Sequence, residues 1–200
     1  MAKKTYTGLT STTKKHLLLG AGAFFKNFLV GTDTYESAVA GGKLIGATQG
    51  GGEFQAVATF RQIPVDGAVG DIKDLEDIQR WDVSMTANVL EVSKATLQLA
   101  LGSATITTMT GTAPYYKVTG NNGLASGDFN NITWCGCLLG ETKPMLIQID
   151  NALCTNGLNL TFTDGEEGKI ALEFHGFYDA VATGAEPVAP FAIYVTETTN

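Results

Sequence analysis

The sequence predicts a mainly β fold, a β-sandwich or half-barrel with one short α-helix packed on it and long loops. Three observations support this prediction. Residues 81–89 alternate apolar and polar side chains without a break, which is the period of a half-buried strand. Shorter alternating segments follow between turn residues, and the 24 glycines suit a chain with many turns. Residues 93–102 alone combine a helix cap, apolar residues at helical spacing and a glycine stop.

The first quarter of the chain is predicted to hold an arm and a long loop. Residues 1–15 are polar and rich in Thr, Ser and Lys, which predicts a flexible N-terminal arm. A strand pair is expected within residues 16–30. Residues 31–52 form a long Gly-rich segment, and loops of this length are usually functional or disordered. Leu44 and Ile45 at its centre are apolar, so we expect the loop to contact a partner surface.

Two long strands are predicted in the middle of the chain. Residues 54–61 alternate, Pro64 marks a strand end, and Asp66-Gly67 is a turn. Residues 81–89 form the strand with the most regular alternation. Its apolar phase slips at Val89–Leu90, which predicts a bulge or bend there.

A short helix follows directly. Ser93 is a good N-cap, residues 94–101 have helical spacing, and Gly102 is a C-terminal stop. Because two helical turns are not stable alone in water, this helix must pack on the sheet.

Further strands are predicted in the second half of the chain. Residues 105–127 are rich in Thr, Gly and Asn and predict a second loop or weak hairpin. The predicted strands are residues 132–139, 145–149, a hairpin of 158–162 with 170–178, and 191–196 within a C-terminal extension of residues 180–200. No linker or repeat divides the chain, so residues 1–200 are expected to form a single domain.

The charge pattern argues against a nucleic-acid-binding surface. Thirteen basic residues stand against twenty acidic ones, a net charge of −7, and the basic residues are scattered. Only 16% of residues are charged, against an ordinary share of about 25%. Such a surface indicates either an ordinary low-charge β domain or a subunit covered by copies of itself. No apolar run reaches the ~20 residues of a membrane span, so we expect a soluble protein that folds in the cytoplasm.

The cysteines do not predict a metal site. Cys135 and Cys137 are two residues apart and Cys154 stands alone, whereas structural zinc needs about four ligands, commonly in Cys-x2-Cys pairs. We expect small buried thiols that fill the sheet.

The sequence also contains no convincing catalytic constellation. Gly20-Ala21-Gly22 begins like a dinucleotide fingerprint, but Phe25 occupies the third glycine position. Glu173 and His175 share a strand face and suit acid–base chemistry, although a solvated pair explains them better. We expect a protein that is not an enzyme and has no cofactor.

Five tracts resemble the major tail tube proteins of long, non-contractile-tailed (siphovirus-like) bacteriophages. They lie in the same order along nearly the whole chain: residues 42–51, 61–68, 81–102, 150–153 and 174–179. These tracts are recurrent sequence features of a family and contain no catalytic motif. The Cys135-Gly136-Cys137 tract departs from the family pattern.

The resemblance implies a structural virion protein. Subunits of that family form hexameric rings that stack into a hollow tail tube, in which long loops and terminal extensions join successive rings. The tube houses the tape-measure protein, ends at the tail terminator and at the distal tail or baseplate proteins, and conducts double-stranded DNA into the host cell. Assembly would take place in the bacterial cytoplasm, without a membrane partner.

Two sets of residues follow as candidates. The polar faces of the two long strands are predicted to face the lumen, where acidic groups would repel the phosphates of passing DNA: Gln55, Thr59, Arg61, Asp82, Ser84, Thr86 and Asn88. The predicted inter-ring and inter-subunit contacts of the Gly-rich loop are Lys43, Leu44, Ile45 and Gln49.

Two alternatives remain open from the sequence. A secretion-system-type ring-forming tube protein would share the fold and the hexameric habit, but it would not normally carry these five tracts. A β-sandwich carbohydrate-binding module would suit the turns and acidity, yet it needs exposed aromatic side chains, and Trp81 and Trp134 both look embedded in strands.

Overall fold

The structure is a computed structural model that describes residues 7–10, 13, 17–18, 20–111, 115–139, 143–161, 164–165, 167–180 and 186–195. Most of the predicted N-terminal arm and part of the C-terminal extension lie outside these residues.

The described residues form nine strands and two α-helices. In chain order they are β1 (Ala23–Lys26), α1 (Tyr35–Ala40), β2 (Phe54–Gln62), β3 (Glu76–Val89), α2 (Lys94–Ala100), β4 (Ala104–Met109), β5 (Tyr115–Gly120), β6 (Asn130–Gly136), β7 (Met145–Cys154), β8 (Ile170–His175) and β9 (Phe191–Tyr194). Short 3₁₀ turns lie at Lys73–Leu75 and Ser126–Asp128. The mainly β prediction is therefore confirmed.

All strand pairs in the described residues are antiparallel, and β7 belongs to two layers. The first layer has the order β1-β6-β7-β9, and the second has β2-β3-β8 followed by the end of β7. Along β6 the register shifts between Asn130 and Ile132, so β7 contains one extra residue near Asn151, whose φ is 49°. A bulge of this kind bends a strand, and here it carries β7 from one layer into the other. The result is the predicted sandwich or half-barrel.

The two layers enclose one core between them. Ile132 and Ile149 from the first layer pack with Met85, Leu172 and Phe174 from the second, and all five are almost fully buried. A smaller cluster lies on the other side of the first layer, where α1 covers it. The first layer is therefore covered on both faces. Only one face of the second layer is buried, and its other side is called the outer face below.

Helix α2 forms as predicted. The Ser93 hydroxyl accepts a hydrogen bond from the Thr96 N–H at 3.1 Å, and Gly102 ends the helix with φ +71°. The helix buries Thr96, Leu99 and Ala100.

Three local predictions are wrong. Helix α1 lies inside the predicted Gly-rich loop, where Thr34 and Ser37 form a capping box. Strand β3 ends at Val89 without a bulge, and its register irregularity lies instead opposite Thr59 and Phe60. Residues 158–161 form no strand, although Leu158 and Leu160 pack against the core. The remainder of that predicted strand lies outside the described residues.

The buried-thiol prediction is correct for two of the three cysteines. Cys135 and Cys154 are buried, but Cys137 lies beyond the end of β6 and is exposed. Burial raises the pKa of Cys135 to about 11, and the nearby Cys137 adds to the shift.

Candidate functional site

The seven predicted lumen-facing residues lie together on the outer face. In the register of β2 with β3, Gln55 stands opposite Ser84 and Thr59 opposite Arg80. On β3 these polar positions alternate with the buried side chains of the core. Strand β8 extends the surface, because His175 pairs with Ser84 and Glu173 with Thr86. That this face lines a lumen stays a prediction.

Arg61 belongs to the outer face because the bulge lies on β3. Thr59 pairs with Arg80 and Phe60 with Ile78, so Gln79 is an extra residue on β3. Since β2 continues without interruption, Arg61 keeps the side of Gln55 and Thr59 and stands opposite Asp77.

The outer face is polar but nearly balanced in charge. Arg80 Nε lies 3.2 Å from Asp82 Oδ1, and the Thr59 hydroxyl donates to Asp82 Oδ2 at 3.2 Å. His175 Nε2 lies 3.2 Å from Glu173 Oε1. Three carboxylates (Asp77, Asp82, Glu173) therefore accompany two guanidinium groups (Arg61, Arg80), a net of −1 with histidine neutral. Asp82 is the one acidic group among the seven candidates, so the expected concentration of negative charge does not occur on this face.

The Gly-rich segment packs against its own chain instead of remaining an open loop. Lys43 forms a salt bridge with Asp33, and the pKa of Asp33 is lowered first by the hydrogen bond from the Leu29 N–H and then by Lys43. Leu44 pairs with Phe25 through an isolated antiparallel β-bridge, and Ile45 is buried in the main core. These contacts explain the apolar pair without a partner protein.

Gln49 also pairs with another segment of its own chain. Its N–H donates to Asn88 O at 3.0 Å, and the neighbouring Thr48 bridges to Val89. The segment before β2 thus continues along the edge of β3. Of the four predicted contact residues in this segment, Ile45 is inaccessible to another subunit because it is buried.

Sequence reasoning missed a second surface, the projecting arm formed by residues 60–80. It comprises the ends of β2 and β3 and the connection between them, and every residue within it is exposed except the half-buried Gln62 and Leu75. The Ile63 N–H donates to Leu75 O at 2.9 Å, so the arm is an ordered hairpin. Phe60 and Ile78 pair across its strands and are 58% and 46% exposed. The sequence shows which residues of the arm are apolar, but it does not show that no other segment packs against them.

The described residues contain no group of three or more His, Cys, Asp or Glu side chains arranged to hold a metal ion. Within the same residues, no helix has the length and hydrophobicity to cross a bilayer. The Glu173–His175 pair, which the sequence singled out, is present, and both side chains are 44% exposed.

Comparison with known proteins adds no relative. No protein-family model matches the chain, and no curated protein matches it significantly. The resemblance to tail tube proteins therefore rests on the five sequence tracts.

Proposed function

We propose that this chain is a structural subunit that assembles with copies of itself into the hollow tail tube of a siphovirus-like bacteriophage. The observation that carries the proposal is the projecting arm. It exposes six apolar side chains on an ordered hairpin that no other part of the described chain covers. Large exposed apolar surfaces commonly mark protein interfaces.

Free strand edges support the same proposal. Within the described residues β2 pairs only with β3, and β9 pairs only with β7. Both edges lie on the same side of the sandwich, because the Phe191 ring on β9 is 5.8 Å from that of Phe54 and 5.4 Å from that of Trp81. Unpaired edges are templates for pairing with another chain. A head-to-tail contact that closes on itself gives a ring, in which the second layers would join into a barrel.

The outer face suits the wall of such a barrel. Its side chains are polar and its charges nearly cancel, so DNA would find few fixed cations to hold its phosphates. In this proposal hexameric rings stack, the tape-measure protein fills the lumen before ejection, and terminator and distal tail proteins bind the ends. The protein is then a virion component assembled in the bacterial cytoplasm and has no catalytic role.

The lumen assignment predicts an effect of Asp82→Lys. The substitution changes the outer face from a net −1 to three cations against two carboxylates, a net of +1 per subunit, repeated around every ring. We expect slower DNA ejection and fewer infectious particles per assembled tail, because the lumen would then hold phosphates. Asp164→Lys, in an exposed turn outside this face, is the matched control. Unchanged ejection and infectivity in Asp82→Lys would show that the outer face does not line the lumen.

The tryptophans argue against the carbohydrate-binding alternative, whereas one exposed tyrosine keeps it open. Trp134 is only 9% exposed, and Trp81 packs partly buried against the core and contacts Phe191, so neither tryptophan is an exposed platform for a sugar. Tyr115 on β5, however, is 68% exposed. A secretion-system-type tube would share the fold and the hexameric habit, and only the five tracts separate it from a tail tube.

Negative-stain electron microscopy of the purified protein over concentration and time, with native mass on the same sample, tests the proposal. Hollow tubes or six-fold rings are the expected result. A chain that stays monomeric at all concentrations and binds glycans in a screen would favour the carbohydrate-binding module.

A further inference from the structure

We infer that the acidic projecting arm of one subunit docks on the basic hairpin of the next copy, formed by β4, β5 and Lys94. The inference rests on the self-association in the proposed function, and it names the two surfaces that meet.

The tip of the arm carries a concentration of carboxylates. The whole arm has five carboxylates against three cations, a net of −2, but Arg61 and Arg80 lie at its base and only Lys73 stands among the carboxylates beyond them. The carboxylates are Asp66, Asp71, Asp74, Glu76 and Asp77, and all five are exposed. Of the three salt bridges found among the described residues, none involves them.

Apolar side chains accompany these charges. Ile63, Val65, Val69 and Ile72 lie in the connection between the strands and are exposed, as are the paired Phe60 and Ile78. An interface with an apolar centre and a charged rim needs both features on one surface. A merely solvated acidic turn would have no use for six exposed apolar residues.

The β4–β5 hairpin has the complementary character. From Val92 to Gly127 the sequence contains no carboxylate, and its two charged residues are Lys94 and Lys117. Lys117 shares one side of the hairpin with Met109 and Tyr115, all exposed. On the other side, Lys94 Nζ lies 3.7 Å from the centre of the Tyr116 ring. Tyrosine, methionine and long cationic side chains are typical of interface centres.

A second copy of the chain is the occupant that the charges favour, because one chain carries both complementary surfaces. Both surfaces are exposed in the single chain, so they do not cover each other within one molecule. Opposite charge favours their encounter between molecules and sets its orientation. Because the two surfaces differ, the contact is head-to-tail, which is the type that generates rings and filaments.

Charge exchange between two variants tests this contact. One variant carries Lys94→Glu and Lys117→Glu, and the other carries Asp74→Lys and Glu76→Lys. Each variant alone would bring like charges together, so its self-association, measured by sedimentation velocity, should weaken at least about tenfold. An equimolar mixture restores opposite charges at every contact if the variants alternate, as an even-numbered ring allows. We expect the mixture to associate to within about threefold of the wild type, and to dissociate at high salt.

A matched control and a folding check accompany the exchange. Lys169→Glu with Asp164→Lys changes two exposed charges outside both surfaces and should leave association unchanged. Circular dichroism and thermal unfolding should show native folding for all variants, since every substituted residue on the arm is exposed and surface substitutions are usually within about 0.5 kcal/mol of neutral.

The outcomes separate this inference from the proposed function. If the wild type forms tubes and either exchanged variant associates equally well alone, or the mixture does not recover, the docking inference is wrong and the tube proposal stands. If the mixture recovers association into particles that are not hollow, the docking inference stands and the tube proposal fails. A wild type and a mixture that both stay monomeric overturn both.

Discussion

Strand β3 passes through two environments that differ in almost every physical respect. From Val83 to Val89 every second side chain is buried in the core between the two layers. From Glu76 to Arg80 every side chain is exposed, although the strand stays paired with β2 on both sides of its bulge at Gln79. Phe60 and Ile78 of the arm are as apolar as Met85 and Phe174 of the core. The difference shows that the arm carries apolar side chains that the rest of the described chain does not cover.

The largest effect expected from this comparison is on the stability of the isolated subunit. Phe174→Ala empties a fully buried site and should lower the free energy of unfolding by about 3–5 kcal/mol. Phe60→Ala removes the same atoms from the exposed arm and should change it by no more than about 0.5 kcal/mol. Urea unfolding of both variants at a concentration where the wild type is monomeric gives the two values. A cost for Phe60→Ala near that of Phe174→Ala would mean that the arm is covered within the subunit.

A smaller effect concerns the carboxylate at the bend of β7. Burial, and secondarily the nearby Asp179, raises the pKa of Asp150. A carboxyl whose pKa is raised by folding favours the folded state below its unfolded pKa of about 3.9 and loses that contribution as the pH rises through the folded pKa. Asp150→Asn should therefore be more stable than the wild type at pH 7, and its advantage should shrink as the pH falls toward 4.

The measurement for Asp150→Asn is chemical unfolding at several pH values between 4 and 7. Asp77→Asn, which removes an exposed carboxylate of the arm, controls for the loss of one negative charge. An advantage of Asp150→Asn that grew toward acid would contradict the assigned direction. The opposite trend is expected for the corresponding substitutions of Asp33 and Asp128, because the pKa values of these two carboxyls are lowered, chiefly by backbone N–H groups.

The parts of the fold that the sequence predicted are those set by local pattern. The alternation of β2 and β3, the turn at Asp66-Gly67 and the capped helix α2 each depend on neighbouring residues. The capping box of α1 was also local, and Thr34 and Ser37 were enough to find it. The polar outer face followed from the same alternation, although its balance of charge depends on Arg80, which lies before the alternating residues 81–89.

The rest depended on contacts between distant segments. Ile45 is buried because the Gly-rich segment returns to β1, where the Ile45 N–H donates to Phe24 O at 2.9 Å. The bend of β7 depends on Asn151 adopting a positive φ, which asparagine tolerates but does not require. Whether the arm was covered or free was a property of the whole fold, and no local pattern in residues 60–80 distinguishes the two.

Hydrogen–deuterium exchange of the arm, before and after assembly, tests the central claim most directly. In the monomer, amides of residues 60–80 should exchange much faster than those of residues 83–89, which lie in the core. Assembly should slow exchange in residues 60–80 and in β4–β5, and should leave residues 83–89 unchanged. Assembled protein whose arm still exchanges as fast as in the monomer would contradict the account, because the apolar surface of the arm would then have no partner.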